Sequence, residues 1–182
     1  MDEPRFDPGG FWEFHLNGGA VRTREGRRVI VMPEDVAGPL VRLALDQGDQ
    51  VLLSEIGAAL GAEAAATLGE DLGERSPETV LGHAASVVAL FGLGRLSLER
   101  WGDAVVASLS GAPALHGEAL AALLGGLFSA LGGMEVGCAA LGDGRFVLVH
   151  PDVVDAVRGW VAEGADLGAI AGRLAPVTGA AS

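Results

Sequence analysis

The order of helices and strands in the middle of the chain constrains the fold more than any other feature. A helix that ends near Leu90 precedes a strand pair from Arg95 to Leu109. A second helix, from about Ala114 to Leu131, precedes another strand pair that is split at Gly142-Asp143-Gly144. Because hairpins that alternate with helices tend to pair into one sheet, we predict an α+β fold with an antiparallel sheet and its helices on one face.

Length and composition place the chain among ordinary globular proteins. Its 182 residues are 49% hydrophobic and 20% charged, which is enough to bury a core in a single domain. Cys138 is the only cysteine, which excludes an intrachain disulfide and a cysteine-built zinc site. We expect no cofactor and no metal.

The charge of the chain argues against several kinds of partner. A net charge of −12 opposes binding to phosphate backbones and anionic lipids, so we expect no nucleic-acid partner. The start, Met1-Asp2-Glu3-Pro4, lacks the basic region and apolar run of a signal peptide, and no later segment offers about 18 uninterrupted apolar residues. The sequence therefore predicts a cytoplasmic protein without a transmembrane segment.

The chain is predicted to form one domain with additions at both ends. Residues 1–10 hold two prolines, two glycines and alternating charge, which is typical of a flexible N-terminal tail. Residues 11–150 form the α+β domain. Residues 151–175 are predicted to be a C-terminal helical extension, and residues 176–182 a frayed tail.

Strands are predicted at the beginning of the domain. Apolar and polar residues alternate from Trp12 to Leu16, and Asn17-Gly18-Gly19 supplies the tight turn before a return strand from Ala20 to Arg24. A third short strand, from Arg28 to Met32, ends at Pro33 because proline cannot donate to a sheet ladder.

Helices are predicted between these strands and the sheet. The first runs to about Asp46, the second begins near Asp49, and the third begins at a cap formed by Ser76-Pro77-Glu78. The second helix is flanked by small residues such as Gly57 and Gly61, which cannot hold another helix away. We therefore predict that it packs backbone-close to a neighbour, within the chain or across a dimer.

No catalytic or metal-binding constellation is evident. His116-Gly117-Glu118 lacks the paired cysteines of the zinc deaminases, and side chains two apart on a helix point away from each other. Gly92-Leu93-Gly94 closes a helix where a dinucleotide motif would open one. Cys138 lies on an apolar strand face, where it is either a small hydrophobic residue of the core or a contact for a ligand between sheet and helices.

Several loose motifs occur in an order found in a known superfamily. They are Arg28–Pro33 before a helix, Leu90–Glu99, Ala104–Leu109, a Gly- and Leu-rich helix ending at Leu131, and Val136–Asp143. In this order, roughly residues 27–149 resemble the 4-vinyl-reductase domain and the core subunits of the TRAPP trafficking complex.

The resemblance implies a homodimer built on helices, with a sheet on one side and a hydrophobic cavity in each subunit. Members are sensory domains for small hydrophobic or aromatic effectors, or scaffold subunits in complexes that act on small GTPases. Ligand-sensing members often bind metal through a cysteine before the Gly-Asp turn and another just after it. Cys138 fits the first place, but Arg145, Phe146 and Val147 occupy the second, so no metal site is expected. No cysteine lies between Val36 and Leu68, where an acylated trafficking subunit would have its lipid-accepting thiol.

Two hypotheses follow, and an enzyme is a weaker third. The first is a non-enzymatic, homodimeric binding or regulatory subunit with a pocket for a small hydrophobic ligand. The candidate pocket residues are Leu53, Ile56, Leu60, Phe91, Leu124, Phe128 and Cys138. The second is a scaffold with a filled core that docks a protein partner such as a small GTPase or a signalling protein. An enzyme would need a nucleophile, a base and an orienting group from His15, His83, His116 or Cys138, and no such set can be completed.

Overall fold

The computed structural model describes residues 6–69, 72–102 and 104–178. The chain has the predicted α+β fold, with antiparallel strands in both of its sheets. The helices are α1 (Glu34–Asp46), α2 (Gln50–Leu68), α3 (Pro77–Leu90), α4 (Gly117–Gly132), α5 (Val154–Ala162) and α6 (Leu167–Thr178). The strands are β1 (Trp12–His15), β2 (Ala20–Thr23), β3 (Arg28–Val29), β4 (Arg95–Trp101), β5 (Ala104–Ser110), β6 (Gly137–Gly142) and β7 (Arg145–Val149).

The first sheet has the order β1-β2-β3 and lies at the N-terminal end of the domain. Its predicted third strand is shorter than expected, because the backbone leaves the sheet after Val29 and Ile30–Met32 are exposed. Phe11, just before β1, is buried and meets Trp12 and Phe91 edge to face. Residues 1–5 of the predicted tail lie outside the described residues, but Phe6 already stacks on Phe11.

The second sheet forms the centre of the domain and has the order β4-β5-β7-β6. Its side chains alternate between two apolar clusters. Leu96, Ala107, Cys138 and Phe146 face the cluster that contains α3 and α4. On the other face, the strand residues Ala104, Val106, Ala139 and Val147 pack against α5 and α6.

The placement of α5 and α6 corrects part of the prediction. We expected helices on one face of the sheet only, but Val157, Ile170 and Leu174 of the C-terminal helices are buried against the opposite face. The central sheet is therefore covered on both faces. Helix α6 also continues through Thr178, past the predicted frayed start at Pro176, and residues 179–182 lie outside the description.

Helices α2 and α3 begin where the sequence predicts them, each at a capping side chain. The Asp49 carboxylate accepts a hydrogen bond of 3.0 Å from the amide of Leu52 and begins α2. The Ser76 hydroxyl accepts one of 3.2 Å from Thr79 and begins α3. Such caps satisfy amides that have no partner inside the helix, which explains why local sequence determines the starts of these helices.

Helices α2 and α4 pack backbone to backbone, which confirms the prediction from the small residues of α2. A Cβ added at Gly57 would collide with the carbonyl oxygen of Leu123, and one at Gly126 would collide with that of Ser54. A Cβ at Gly61 would lie 2.5 Å from the Leu127 carbonyl oxygen. Glycine is therefore required at all three positions for the observed distance between the helices.

Candidate functional site

The most exposed apolar surface of the molecule lies on α1, on α2 and on the segment that leads into α1. Nine of the thirteen large hydrophobic side chains found exposed among the described residues belong to this region. They are Ile30, Val31, Met32, Val36, Leu40, Leu43, Val51, Leu52 and Ile56. Isolated exposed hydrophobic residues are common, but a cluster of this kind is typical of a binding surface. We call these nine residues the apolar face.

Helix α1 is only loosely attached to the rest of the domain. Ala44 is its one buried residue, in a small cluster with Leu53 and Ala119. At its N-terminus, the Glu34 carboxylate accepts a hydrogen bond of 2.7 Å from the backbone amide of Ala114. Val36, Leu40 and Leu43, spaced by four and three residues, lie exposed along one side of the helix.

A groove of about 550 Å³ lies beside α1, over α2 and the end of α3. Leu53 is buried at 1% exposure, whereas Ile56, which also lines the groove, is 45% exposed. Gln47 and Asp49 add polar atoms to an otherwise apolar lining. This space, called here the α1–α2 groove, has the size and apolar character of a site for a small ligand.

The structure brings together four of the seven predicted pocket residues. Leu53, Ile56, Leu60 and Phe91 all line the α1–α2 groove. Leu124 instead lies in the packed core, beside a cavity of only about 10 Å³, which is about the size of one water molecule.

The other two predicted residues lie elsewhere on the α3–α4 side of the sheet. Phe128 is largely buried and lines a different groove, between α3 and α4. Cys138 is packed on the sheet face toward α4, where burial raises the pKa of its thiol far above the usual value and keeps it protonated. A buried, protonated thiol is a poor nucleophile and a poor metal ligand.

A polar pocket of about 610 Å³ lies on the other side of α1. Arg42 and Asp46 of α1, Gln50 of α2 and Glu118 of α4 are among the residues around it. Helix α1 is therefore a ridge with an apolar groove on one side and a charged pocket on the other.

Arg158 of α5 contacts side chains of α2 and α4 beside this pocket. Its guanidinium lies 2.7 Å from the Glu118 carboxylate and 3.1 Å from that of Asp155. It also donates a hydrogen bond of 3.4 Å to the side-chain oxygen of Gln50. The Arg158 and Glu118 side chains are 29% and 30% exposed, so this pair is better shielded from water than most surface ion pairs.

Glu63 is the buried carboxylate of α2. It lies 2.7 Å from the guanidinium of Arg27, whose side chain is half exposed. Burial raises the pKa of Glu63, Arg27 opposes the shift, and the nearby Glu25 adds to it. The pair fastens the N-terminal sheet to α2.

Two further observations concern membranes and metals. Helix α2 is long and apolar enough to cross a bilayer by length and composition, but core helices pass the same test, and α2 packs against α4 and carries the Glu63–Arg27 pair. Within residues 6–69, 72–102 and 104–178, no group of three or more His, Cys, Asp or Glu side chains is arranged to hold a metal ion.

Comparisons with known proteins add no family to this description. No model of a protein family matches the chain, and no curated protein matches it. The function is therefore argued from the geometry of this molecule.

The apolar face was not predicted from the sequence. A signal for it was present, because the apolar side of α1 is broad, extending from Leu43 through Leu40 and Ala44 to Val41, with Arg42 and Asp46 on the opposite side. A helix that is apolar beyond a single stripe needs more than one covering surface.

Proposed function

We propose that this protein is a non-enzymatic binding or regulatory subunit that works as a homodimer, in which two copies meet through their apolar faces. The observation that supports this proposal most directly is the clustering of the nine exposed hydrophobic side chains on α1, on α2 and before α1. Leaving such a patch in water costs free energy that a matching surface removes. Symmetric contacts of this kind are the commonest in soluble oligomers.

The charges around the face are compatible with a second copy as the occupant. Each chain has a net charge of −12, so two copies repel each other except where apolar surface and mixed charge dominate. Helix α1 supplies both, with Leu40 and Leu43 exposed and with Arg42 and Asp46 of opposite sign beside them.

The dimer also explains the α1–α2 groove. Because Leu40, Leu43, Leu52 and Ile56 belong both to the groove lining and to the apolar face, a second copy would close the groove from outside. An open groove of about 550 Å³ then becomes an enclosed site for a small hydrophobic ligand. The space near Leu124 is too small for this purpose, so the ligand belongs in the groove.

The test is the oligomeric state of the purified protein. Sedimentation equilibrium should give twice the chain mass for the wild type. The double variant Leu40→Glu, Leu43→Glu should be monomeric, because four carboxylates would be buried in the dimer contact. A control is Leu16→Glu, which places one such carboxylate on a side chain that is 84% exposed outside the face and should leave the dimer intact.

Circular dichroism must show that the double variant remains folded. A wild type that is monomeric over the micromolar range, or a folded double variant that still dimerises, would refute the proposal. A wild-type dimer that dissociates in Leu16→Glu but not in the double variant would place the contact on the N-terminal sheet instead.

The second candidate function is a scaffold that docks a protein partner. The small volume near Leu124 favours it, since the interior between helices and sheet is filled. The loose resemblance to the TRAPP core subunits also supports it, through their role in complexes that act on small GTPases. Pull-down from the native host distinguishes the two. Recovery of the homodimer alone supports the first proposal, and a partner lost in the Leu40→Glu, Leu43→Glu variant supports the second.

A further inference from the structure

A second apolar groove, separate from the first, lies at one end of the central sheet. It has a volume of about 610 Å³ and shares no lining residue with the α1–α2 groove. Leu98, Val105 and Leu148 form its floor on three adjacent strands, β4, β5 and β7. Val80 of α3 and Phe128 of α4 line it from the helices. We call it the α3–α4 groove.

The groove forms because the two helices do not cover this end of the sheet. Helix α3 begins at Pro77, while α4 ends at Gly132, where Gly133 adopts a left-handed conformation and turns the chain back toward β6. On the sheet face toward α3 and α4, residues nearer the other end of the sheet, such as Ala107 and Phe146, are fully buried under the same helices. Leu98, Val105 and Leu148 are therefore only partly buried at this end.

Arg75 is the cationic side chain of the lining. It lies just before α3, and its Nε atom is buried with no hydrogen-bond partner in the part of the chain that the structure describes. A buried donor without an acceptor is unfavourable, so this guanidinium keeps hydrogen-bonding capacity that the oxygen atoms of a ligand could use. A guanidinium matches a carboxylate especially well, because two of its N–H groups can bind both oxygens.

The other charged and titratable groups of the lining restrict the ligand further. Glu135 follows α4 and His150 follows β7. A second negative charge on the ligand would lie in a groove that already holds the Glu135 carboxylate. The lining therefore suits one carboxylate at the Arg75 end and an uncharged chain elsewhere.

We infer that the α3–α4 groove binds an apolar monocarboxylate, with its carboxylate on Arg75 and its hydrocarbon chain over Leu98, Val105 and Leu148. The site does not depend on the dimer, since it shares no residue with the apolar face. It gives the protein a ligand of a chemical class different from the neutral hydrophobic molecule that suits the α1–α2 groove.

The experiment compares two probes of equal chain length on the full-length protein. Calorimetric titration with decanoate, below its micellar range, should show saturable binding, and decanol should bind about tenfold or more weakly because it lacks the charge that Arg75 recognises. Arg75→Gln should weaken decanoate binding by a similar factor and leave decanol within about twofold. Arg95→Gln, an arginine on the same sheet that does not line the groove, should change neither probe.

A filling variant tests the apolar part of the site. Val80→Trp should abolish decanoate binding, whereas Ile56→Glu in the α1–α2 groove should leave decanoate binding unchanged and remove any decanol bound there. Equal affinity of decanoate and decanol for Ile56→Glu, whose α1–α2 groove no longer suits an uncharged chain, or an unchanged decanoate affinity in Arg75→Gln, would overturn the inference. The inference would also be overturned if Ile56→Glu lost decanoate binding and Val80→Trp kept it. If Val80→Trp does not fold, the comparison of two probes with Arg75→Gln still decides.

Discussion

Helix α2 meets its two neighbouring helices in different ways. Toward α4 its backbone makes direct contact, because Gly57 and Gly61 remove the side chains that would otherwise separate the helices. Toward α1 the contact is a small cluster around Leu53, and the neighbouring Leu52 and Ile56 remain exposed. The same helix is therefore tightly packed on one side and open on the other.

The difference separates the part of the molecule that maintains its shape from the part that is free to bind. A contact between backbones leaves no volume for a ligand and tolerates no added atom. A contact through few side chains leaves apolar surface that another molecule can cover. The tight side should respond to mutation with a large loss of stability, and the open side should respond mainly in binding.

The largest effect is expected from Gly126→Ala. Its methyl group would collide with the Ser54 carbonyl oxygen, so α2 and α4 must move apart. Such overpacking costs about 1–3 kcal/mol and occasionally more, and we expect a loss at or above the upper end. Urea unfolding followed by circular dichroism measures it.

The control for this change is Gly82→Ala on the exposed side of α3, where an added Cβ meets nothing within 4 Å. This variant should gain up to about 1 kcal/mol through helix propensity. If Gly126→Ala were as stable as the wild type, the close approach of α2 and α4 would be wrong.

A smaller loss is expected from Leu53→Ala on the open side. Leu53 is 1% exposed and contacts α1, so its truncation should cost about 2–3 kcal/mol and speed amide hydrogen exchange in α1 but not in α4. The matched control is Leu52→Ala, with 44% exposure, which should cost less than about 1 kcal/mol. Both are best measured in the Leu40→Glu, Leu43→Glu background, where self-association does not contribute. Equal losses for the two variants would contradict the proposed looseness of α1.

The smallest effect expected is a change in how the free energy of unfolding depends on pH. It arises from Glu63, on the part of α2 that faces the N-terminal sheet. Burial raises the pKa of this carboxyl in the folded protein, so the folded state holds its proton more tightly than the unfolded state does. Its contribution to stability is then fully present at low pH and is lost as pH rises through the raised pKa.

Replacing Glu63 by a side chain that does not titrate tests the direction of this pH dependence. Glu63→Gln should gain stability relative to the wild type between about pH 4 and pH 7, by less than about 1 kcal/mol because the half-exposed Arg27 offsets part of the burial cost. The free energy of unfolding at several pH values measures the difference. If Glu63→Gln were less stable than the wild type over this pH range, Arg27 rather than burial would dominate the pKa of Glu63.

Local features of the fold were predictable from the sequence. The caps at Asp49 and Ser76 depend on a side chain and an amide three residues later, so nearby residues are sufficient to identify them. The close packing of α2 was predictable for a similar reason, since Gly57 and Gly61 allow an approach that larger residues prevent. What was missing was the identity of the neighbour, which proved to be α4.

Features that depend on distant segments were less predictable. Periodicity places Leu124 and Phe128 on an apolar side of α4, but it does not show which other element covers them, and the structure places them away from the α1–α2 groove. The location of α5 and α6 behind the sheet was missed because an apolar helix after a hairpin fits either face. Arg75 was missed because a single arginine before a helix is unremarkable until the groove beside it is seen.

The position of α5 and α6 has a consequence for synthesis on the ribosome. The rear of the sheet, with Ala139 and Val147, stays uncovered until Ile170 and Leu174, which come later in the chain, have left the ribosome and docked. During this interval the nascent domain presents an uncovered apolar surface that attracts chaperones or other nascent chains. Docking of α5 and α6 should therefore be the step at which the protein stops being prone to aggregation.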